Sequence, residues 1–119
     1  MKTQQHLPRG FTLVEIMVVT VIIGLLAALA VPAFNKVRQA ARQRAITNNL
    51  RQIASAAQQY MLEHGAPTVG YSDIVGTTTD RFISLIATAA QEDYTTLVIH
   101  NSDTQVSITS PVITVTYNF

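Results

Sequence analysis

The chain contains no cysteine, so neither a disulfide framework nor thiol chemistry is open to it. That absence does not fix the compartment, because an exported protein need not carry disulfides. Catalytic signatures are missing as well. His6, His64 and His100 stand far apart, with no carboxylates at metal-binding spacing around them. No serine sits in Gly-x-Ser-x-Gly, and no glycine-rich phosphate loop occurs. Asp73, Asp80, Asp93 and Asp103 are scattered without the spacing of a calcium loop. Neither a cofactor nor a metal is expected, and the chain does not read as an enzyme. Basic residues become scarce late in the chain: after Arg51 there is only Arg81, against Glu63, Asp73, Asp80, Glu92, Asp93 and Asp103. Large apolar residues thin out there too, and 119 residues give one small domain with a thin core.

What is abundant lies at the front. From Phe11 to Phe34 the sequence is almost continuously apolar, broken by Thr12, Glu15, Thr20, Gly24 and Pro32. A bilayer core of roughly 30 Å needs about 20 helical residues, so this run is long enough to span. It exceeds the apolar core of an ordinary signal peptide, and no small-x-small cleavage site follows it. Glu15 is the anomaly, because a carboxylate inside hydrocarbon costs about 2.5–3.5 kcal/mol on insertion scales. Two readings fit: it reaches the headgroups from one turn inside the span, or it meets a cation within the apolar layer. A free amine created by cutting before Phe11 is the nearest such cation. Counting Lys and Arg on the two flanks, the downstream side carries more, which alone places the N-terminus outside.

Residues 8–34, PRGFTLVEIMVVTVIIGLLAALAVPAF, resemble the N-terminal signature of type IV prepilins and type II secretion pseudopilins. That signature is a short basic leader ending in glycine, an aromatic residue, then an apolar helix. Counted from Phe11, glutamate is fifth at Glu15 and proline is twenty-second at Pro32. The resemblance implies that a prepilin peptidase cuts between Gly10 and Phe11 and that Phe11 is then N-methylated. It implies that Glu15 pairs with the Phe11 amine of a neighbouring copy. It also implies a cytoplasmic N-terminus, which overrides the flank count. Cleavage removes Lys2 and Arg9, leaving six basic against seven acidic residues, a formal charge of −1. Gly24 and Pro32 bracket the segment expected to stretch on assembly, the alternative being a mild kink in an intact helix.

Beyond Pro32 no strong helix breaker occurs until Gly65-Ala-Pro67. Ile46, Leu50, Ile53, Ala57, Tyr60 and Met61 form an apolar stripe at helical spacing. Lys36, Arg38, Arg42, Arg44 and Arg51 admit three readings: a solvated face touching anionic headgroups, a nucleic-acid surface, or a docking face for the acidic heads of other subunits. The lack of interleaved aromatics argues against the nucleic-acid reading.

The remainder suggests a loop over 65–76, with a turn of helix near Asp73-Ile74-Val75. Next comes either a helix capped by Asp80, with Phe82, Leu85, Ile86 and Ala89 on one face, or a strand through Phe82–Ile86. Three strands follow at 94–100, 105–109 and 112–117, separated by the turn signals Asn101-Ser102-Asp103 and Ser110-Pro111.

The expected fold is therefore α+β and pilin-like: a long N-terminal helix, its first half transmembrane, packed against a small C-terminal three-stranded antiparallel sheet. The expected division is a leader (1–10), a transmembrane or filament-core helix (11–34), an amphipathic extension (35–64) and a globular head (65–119). The expected role is a structural filament subunit of a type IV pilus or a type II secretion pseudopilus. Its partners are copies of itself, a prepilin peptidase, an inner-membrane assembly platform and, before assembly, membrane lipid. It is expected in the bacterial inner membrane first, then in a periplasmic pseudopilus or a surface pilus. The competing reading is a monomeric membrane-anchored binding module, which needs neither a peptidase cut nor a partner for Glu15.

Overall fold

The computed structural model describes residues 10–119. Lys2, His6, Pro8 and Arg9, and with them nearly all of the expected leader, lie outside the described residues. The order of elements is α1 (Leu13–His64), β1 (Thr68–Gly70), α2 (Tyr71–Ile74), β2 (Val98–His100), β3 (Gln105–Thr109) and β4 (Thr114–Asn118). The chain divides into two compact units, Met1–Val37 and Arg38–Phe119.

In the first unit α1 continues through Gly24 and past Pro32. Between the two breakers Leu25 to Ala30 are all leucine or alanine, the strongest helix formers, whereas the turns before Gly24 are mostly β-branched. Thr20 satisfies its own hydroxyl, donating to the Met17 carbonyl at 2.9 Å. Every described residue of this unit is exposed, from Phe11 at 82 % to Val19 at 46 % among the large apolar ones. By length and composition α1 is able to cross a membrane.

In the second unit α1 acquires a buried face. Ile46, Leu50, Ile53, Ala57 and Met61 are buried as the stripe predicts, Tyr60 is half-buried, and Ala54 and Ala56 widen the face. They share one core with Val69, Ile74, Ile86, Tyr94, Ile99, Val106, Ile108 and Val115. In each strand the buried residues alternate with exposed ones, as expected of strands that cover a helix with one face.

The α+β plan stands, but the sheet differs from the three-stranded expectation. The structure has two separate antiparallel pairs, β1 with β2 and β3 with β4. Thr68–Gly70, expected to be loop, pairs Val69 with Ile99. Backbone bonds from Asn101 to Pro67 at 2.9 Å and from Tyr71 to Leu97 at 3.1 Å extend that ladder at both ends. Strand β2 is shorter than the run at 94–100 because Asp93 intervenes. Its carboxylate accepts the Thr95 backbone N–H at 2.9 Å and the Thr95 hydroxyl at 2.6 Å. The Leu97 N–H then turns back to the Tyr94 carbonyl. Strand β3 forms where expected. Strand β4 begins two residues later than expected because the Ser110 hydroxyl organises the turn, donating to the Ile113 carbonyl at 2.9 Å.

Neither reading of 82–89 survives. The segment is irregular apart from one isolated bridge between Ile83 and Val75. Ile86 is buried while Leu85 is 78 % exposed, which a shared helical face does not allow. The turn of helix near Asp73 does form, as Tyr71–Ile74.

The burial contrast along α1 is testable. Leu50→Ala is expected to cost about 2–5 kcal/mol, because it leaves a cavity under the sheets. Leu62→Ala, at an 86 % exposed position of the same helix, is expected to cost under about 0.5 kcal/mol. Thermal unfolding in detergent micelles measures both. Equal losses would mean that α1 does not bury the face described.

Candidate functional site: the helix start, the basic groove and the carboxylate network

Gly10 and Phe11 precede α1 and are exposed, with Phe11 at 82 %. A Cβ added at Gly10 meets nothing within 4 Å, so the fold itself does not require glycine there. Thr12 caps the helix. Its hydroxyl accepts the Glu15 N–H at 3.2 Å, and Glu15 Oε2 accepts the Thr12 N–H at 3.4 Å. This is a reciprocal capping box, and it satisfies two amides that the first turn leaves without partners. The helix dipole further favours a carboxylate at this end. The sequence reading gives Glu15 a headgroup or cation partner and a pairing with the Phe11 amine of a neighbouring copy, but not a capping role. The spacing Thr12-x-x-Glu15 was the available signal for the cap. Gly24 and Pro32 both lie within α1, and Gly24 faces open space.

The basic residues do not form one face. At about 100° per residue, Arg44 and Arg51 lie within roughly 20° of each other around the helix, whereas Arg42 lies on the other side. Arg44 and Arg51 line a shallow groove with Ala40, Gln43, Thr47 and Asn48. Arg42 lines a different hollow with Thr88, Ala89, Ala90, Gln91 and Val112. Lys36 and Arg38 are exposed, Lys36 within the first unit. The Arg51 guanidinium sits over the Tyr117 ring, 5.6 Å from its centroid. Tyr117 stacks in turn near Phe119, with centroids 6.3 Å apart. Tyr117 is thus an aromatic neighbour that lies far away in sequence.

The acidic residues are mostly structural. Glu92 is buried, only 3 % exposed. It accepts the Ala89 and Ala90 backbone N–H groups at 2.8 and 2.6 Å and the Tyr94 hydroxyl at 2.9 Å. Asn49 on α1 donates to the Tyr94 oxygen at 3.1 Å and to the Ala87 carbonyl at 2.9 Å, tying the irregular segment to the helix. Burial raises the carboxyl pKa of Glu92, but the backbone and tyrosine hydrogen bonds outweigh it and hold it below the usual value. Burial, Glu92 and other nearby charge push the Tyr94 hydroxyl well above the ordinary tyrosine range, although the Asn49 hydrogen bond opposes them. Burial, then the Asp93 charge, also raises Tyr71. Gln91, next to Glu92, takes a left-handed backbone, φ 59°. Asp73 accepts the Gly70 N–H at 2.9 Å, and Asp103 accepts that of His100 at 2.8 Å. No group of three or more His, Asp or Glu side chains able to hold a metal ion occurs among the described residues. His64 stacks on Tyr60 with centroids 4.2 Å apart, and His100 ends β2.

Comparison with known proteins bears on the helix start. The family model "Prokaryotic N-terminal methylation motif" matches residues 7–31. The chain carries a prepilin-type methylation motif. The match covers Gly10, Phe11, the capping box and most of the apolar run. The chain is 42 % identical over 55 residues to the type IV major pilin protein PilA of Myxococcus xanthus, covering 46 % of this chain and 25 % of that protein. It is 41 % identical over 63 residues to the type II secretion system core protein G of Pseudomonas aeruginosa, covering 53 % and 44 %. It is 38 % identical over 88 residues to the prepilin peptidase-dependent protein D of Escherichia coli, covering 68 % and 58 %. The chain thus spans between a quarter and three-fifths of the length of these relatives. No solved structure matches it.

The Glu92 network makes a pH prediction. A carboxyl whose folded pKa is depressed adds stability above its unfolded value, and that stability is lost as pH falls through the folded value. Glu92→Gln is therefore expected to lower the melting temperature at pH 7. The gap to the unsubstituted chain should shrink as pH drops below the usual carboxylate value of 4.5. A gap independent of pH would show that the Glu92 charge plays no part in the network.

Proposed function

We propose that this chain is a structural subunit of a helical filament, a type IV pilus or a type II secretion pseudopilus, made as a precursor. The observation that carries this reading is the start of α1. It is a helix exposed and apolar on every side, with one carboxylate a turn inside its N-terminus. Lipid covers such a surface before assembly, and other copies of the helix cover it afterwards. The matched motif and the pilin and secretion relatives support the same reading. The proposed division is leader 1–10, membrane and filament-core helix 11–34, extension 35–64 and head 65–119. The proposed topology is a single pass through the inner membrane with the N-terminus cytoplasmic.

In this reading a prepilin peptidase cuts between Gly10 and Phe11. Glycine leaves that bond unshielded, and the fold has no competing use for it. Phe11 then carries a free amine, which is N-methylated. Glu15 has an acceptor to offer a neighbouring amine, because only its Oε2 is engaged in the cap. Pairing Glu15 with the Phe11 amine of the next copy removes an uncompensated charge from the apolar layer, so docking out of register is penalised. Gly24 and Pro32 bracket the stretch of α1 that gives way on assembly: glycine costs about 1 kcal/mol against alanine, and proline has no N–H for the Ala28 carbonyl. An assembly platform in the inner membrane receives the processed chain. The subunit performs no catalysis. The competing anchored-module reading predicts no oligomers on cross-linking in membranes.

Two substitutions separate the cap from the charge. Glu15→Gln keeps a side chain able to complete the capping box but removes the charge. Glu15→Ala removes both. If charge sets the register, both variants insert normally and both lower filament yield at least tenfold. Normal filaments from Glu15→Gln would reduce Glu15 to a helix cap.

A further inference from the structure

Charge is segregated along this chain to a degree that the helix-start mechanism leaves unused. Residues 36–51 hold five basic side chains and no acidic one, while residues 52–119 hold six acidic and one basic. Two copies lying parallel and level with each other oppose like charges at both ends of residues 36–119. A lengthwise shift removes that conflict.

Four of the six late carboxylates are committed within the fold. Glu92 is buried, and Asp73, Asp93 and Asp103 each accept a backbone N–H of a nearby turn. Glu63 and Asp80 are exposed and hold no backbone amide of another residue. Both belong to the end of the molecule where α1 finishes: the Phe82 ring, two residues after Asp80, packs edge-on against Tyr60 with centroids 6.2 Å apart, and Tyr60 stacks on His64 beside Glu63. Its own backbone N–H and the Thr78 hydroxyl hold the Asp80 carboxyl below the usual aspartate value. At the other end of the same unit, Arg44, Thr47, Asn48 and Arg51 line an open groove. Arg51 lies over the Tyr117 ring, 5.6 Å from its centroid and within cation–π range, a contact that uses no N–H group of the guanidinium fork.

We infer that the Arg44–Arg51 groove is the docking surface for the Glu63–Asp80 corner of a second copy of this chain, set parallel and shifted along the helix. From the middle of the groove to Glu63 is about 15 residues, so the shift is roughly 23 Å. Groove and corner are different patches of one molecule, so the contact is heterologous. Each copy offers both halves, and repetition produces an open helical array rather than a closed dimer. The inference rests on the filament reading and adds to it a second register device, outside the apolar layer and sensitive to salt.

Because the chain has no cysteine, introduced thiols report only on themselves. Copies carrying Thr47→Cys and copies carrying Thr79→Cys are co-expressed and mildly oxidised in membranes. The expected product is a disulfide between positions 47 and 79 of different copies, with little cross-linking from Thr47→Cys alone. Arg44→Glu with Arg51→Glu is expected to cut that product and the filament yield at least tenfold at unchanged membrane content. Adding Glu63→Arg and Asp80→Arg to the same chain is expected to restore both. Normal filaments with no 47–79 product would overturn this contact and leave the filament reading intact. Normal filaments from the Arg44→Glu, Arg51→Glu chain, coupled to lost retention of single-stranded DNA, would make the groove a nucleic-acid surface and overturn the contact. No oligomer of any kind from the unsubstituted chain would overturn the filament reading and this contact with it.

Discussion

A helix that is apolar around its whole circumference must be covered by something. Sixteen large hydrophobic side chains between Phe11 and Val37 are about half exposed or more. At roughly 1.5–3 kcal/mol for each such side chain removed from water, their exposure costs on the order of 20 kcal/mol or more. That exceeds the 5–15 kcal/mol by which a whole domain is typically stable. The state of the molecule is therefore set by what surrounds this segment, and the rest of the chain is built on its continuation.

Lipid and neighbouring helices are nearly equivalent surroundings for such a surface, because lipid tails are as apolar as leucine. Transfer from one to the other gives little net hydrophobic gain. Small polar terms then decide geometry. In the proposed filament Glu15 supplies such a term inside the apolar layer, and the Arg44–Arg51 groove supplies another outside it. The capping box refines the first of these. Glu15 already accepts a hydrogen bond of 3.4 Å from its own chain, which orients the carboxylate without neutralising it, so the neighbouring amine meets a charge that is already placed.

The legible parts of this sequence were those governed by periodicity. The run of good helix formers and the Ile46–Met61 stripe specified α1 in the second unit, and alternation specified β3. The parts that escaped are governed by single side chains acting across distance. Thr68–Gly70 is too short for any pattern and is a strand only because Ile99 lies opposite Val69. The 77–93 segment carries apolar residues at helix-like spacing, yet its amides are held by the Glu92 carboxylate and one of its carbonyls by Asn49. Nothing in local sequence distinguishes Glu92 from the exposed carboxylates around it. At the helix start the motif residues were legible from the signature, whereas the Thr12–Glu15 reciprocity was visible in the spacing and passed over. The basic residues read as one cluster in sequence. The turn of the helix separates Arg42 from Arg44 and Arg51, and the C-terminal Tyr117 gives Arg51 its aromatic neighbour.

The central claim is that the apolar helix is released by processing and then packed against copies of itself. Intact-mass measurement of the native protein tests it most directly, taken separately on sheared surface material and on the inner membrane. The account predicts a chain beginning at methylated Phe11. In sheared material it denotes a surface pilus, and confined to the membrane fraction it denotes a periplasmic pseudopilus. A chain retaining Met1 to Gly10 in both fractions, from cells with an active prepilin peptidase, would contradict the account.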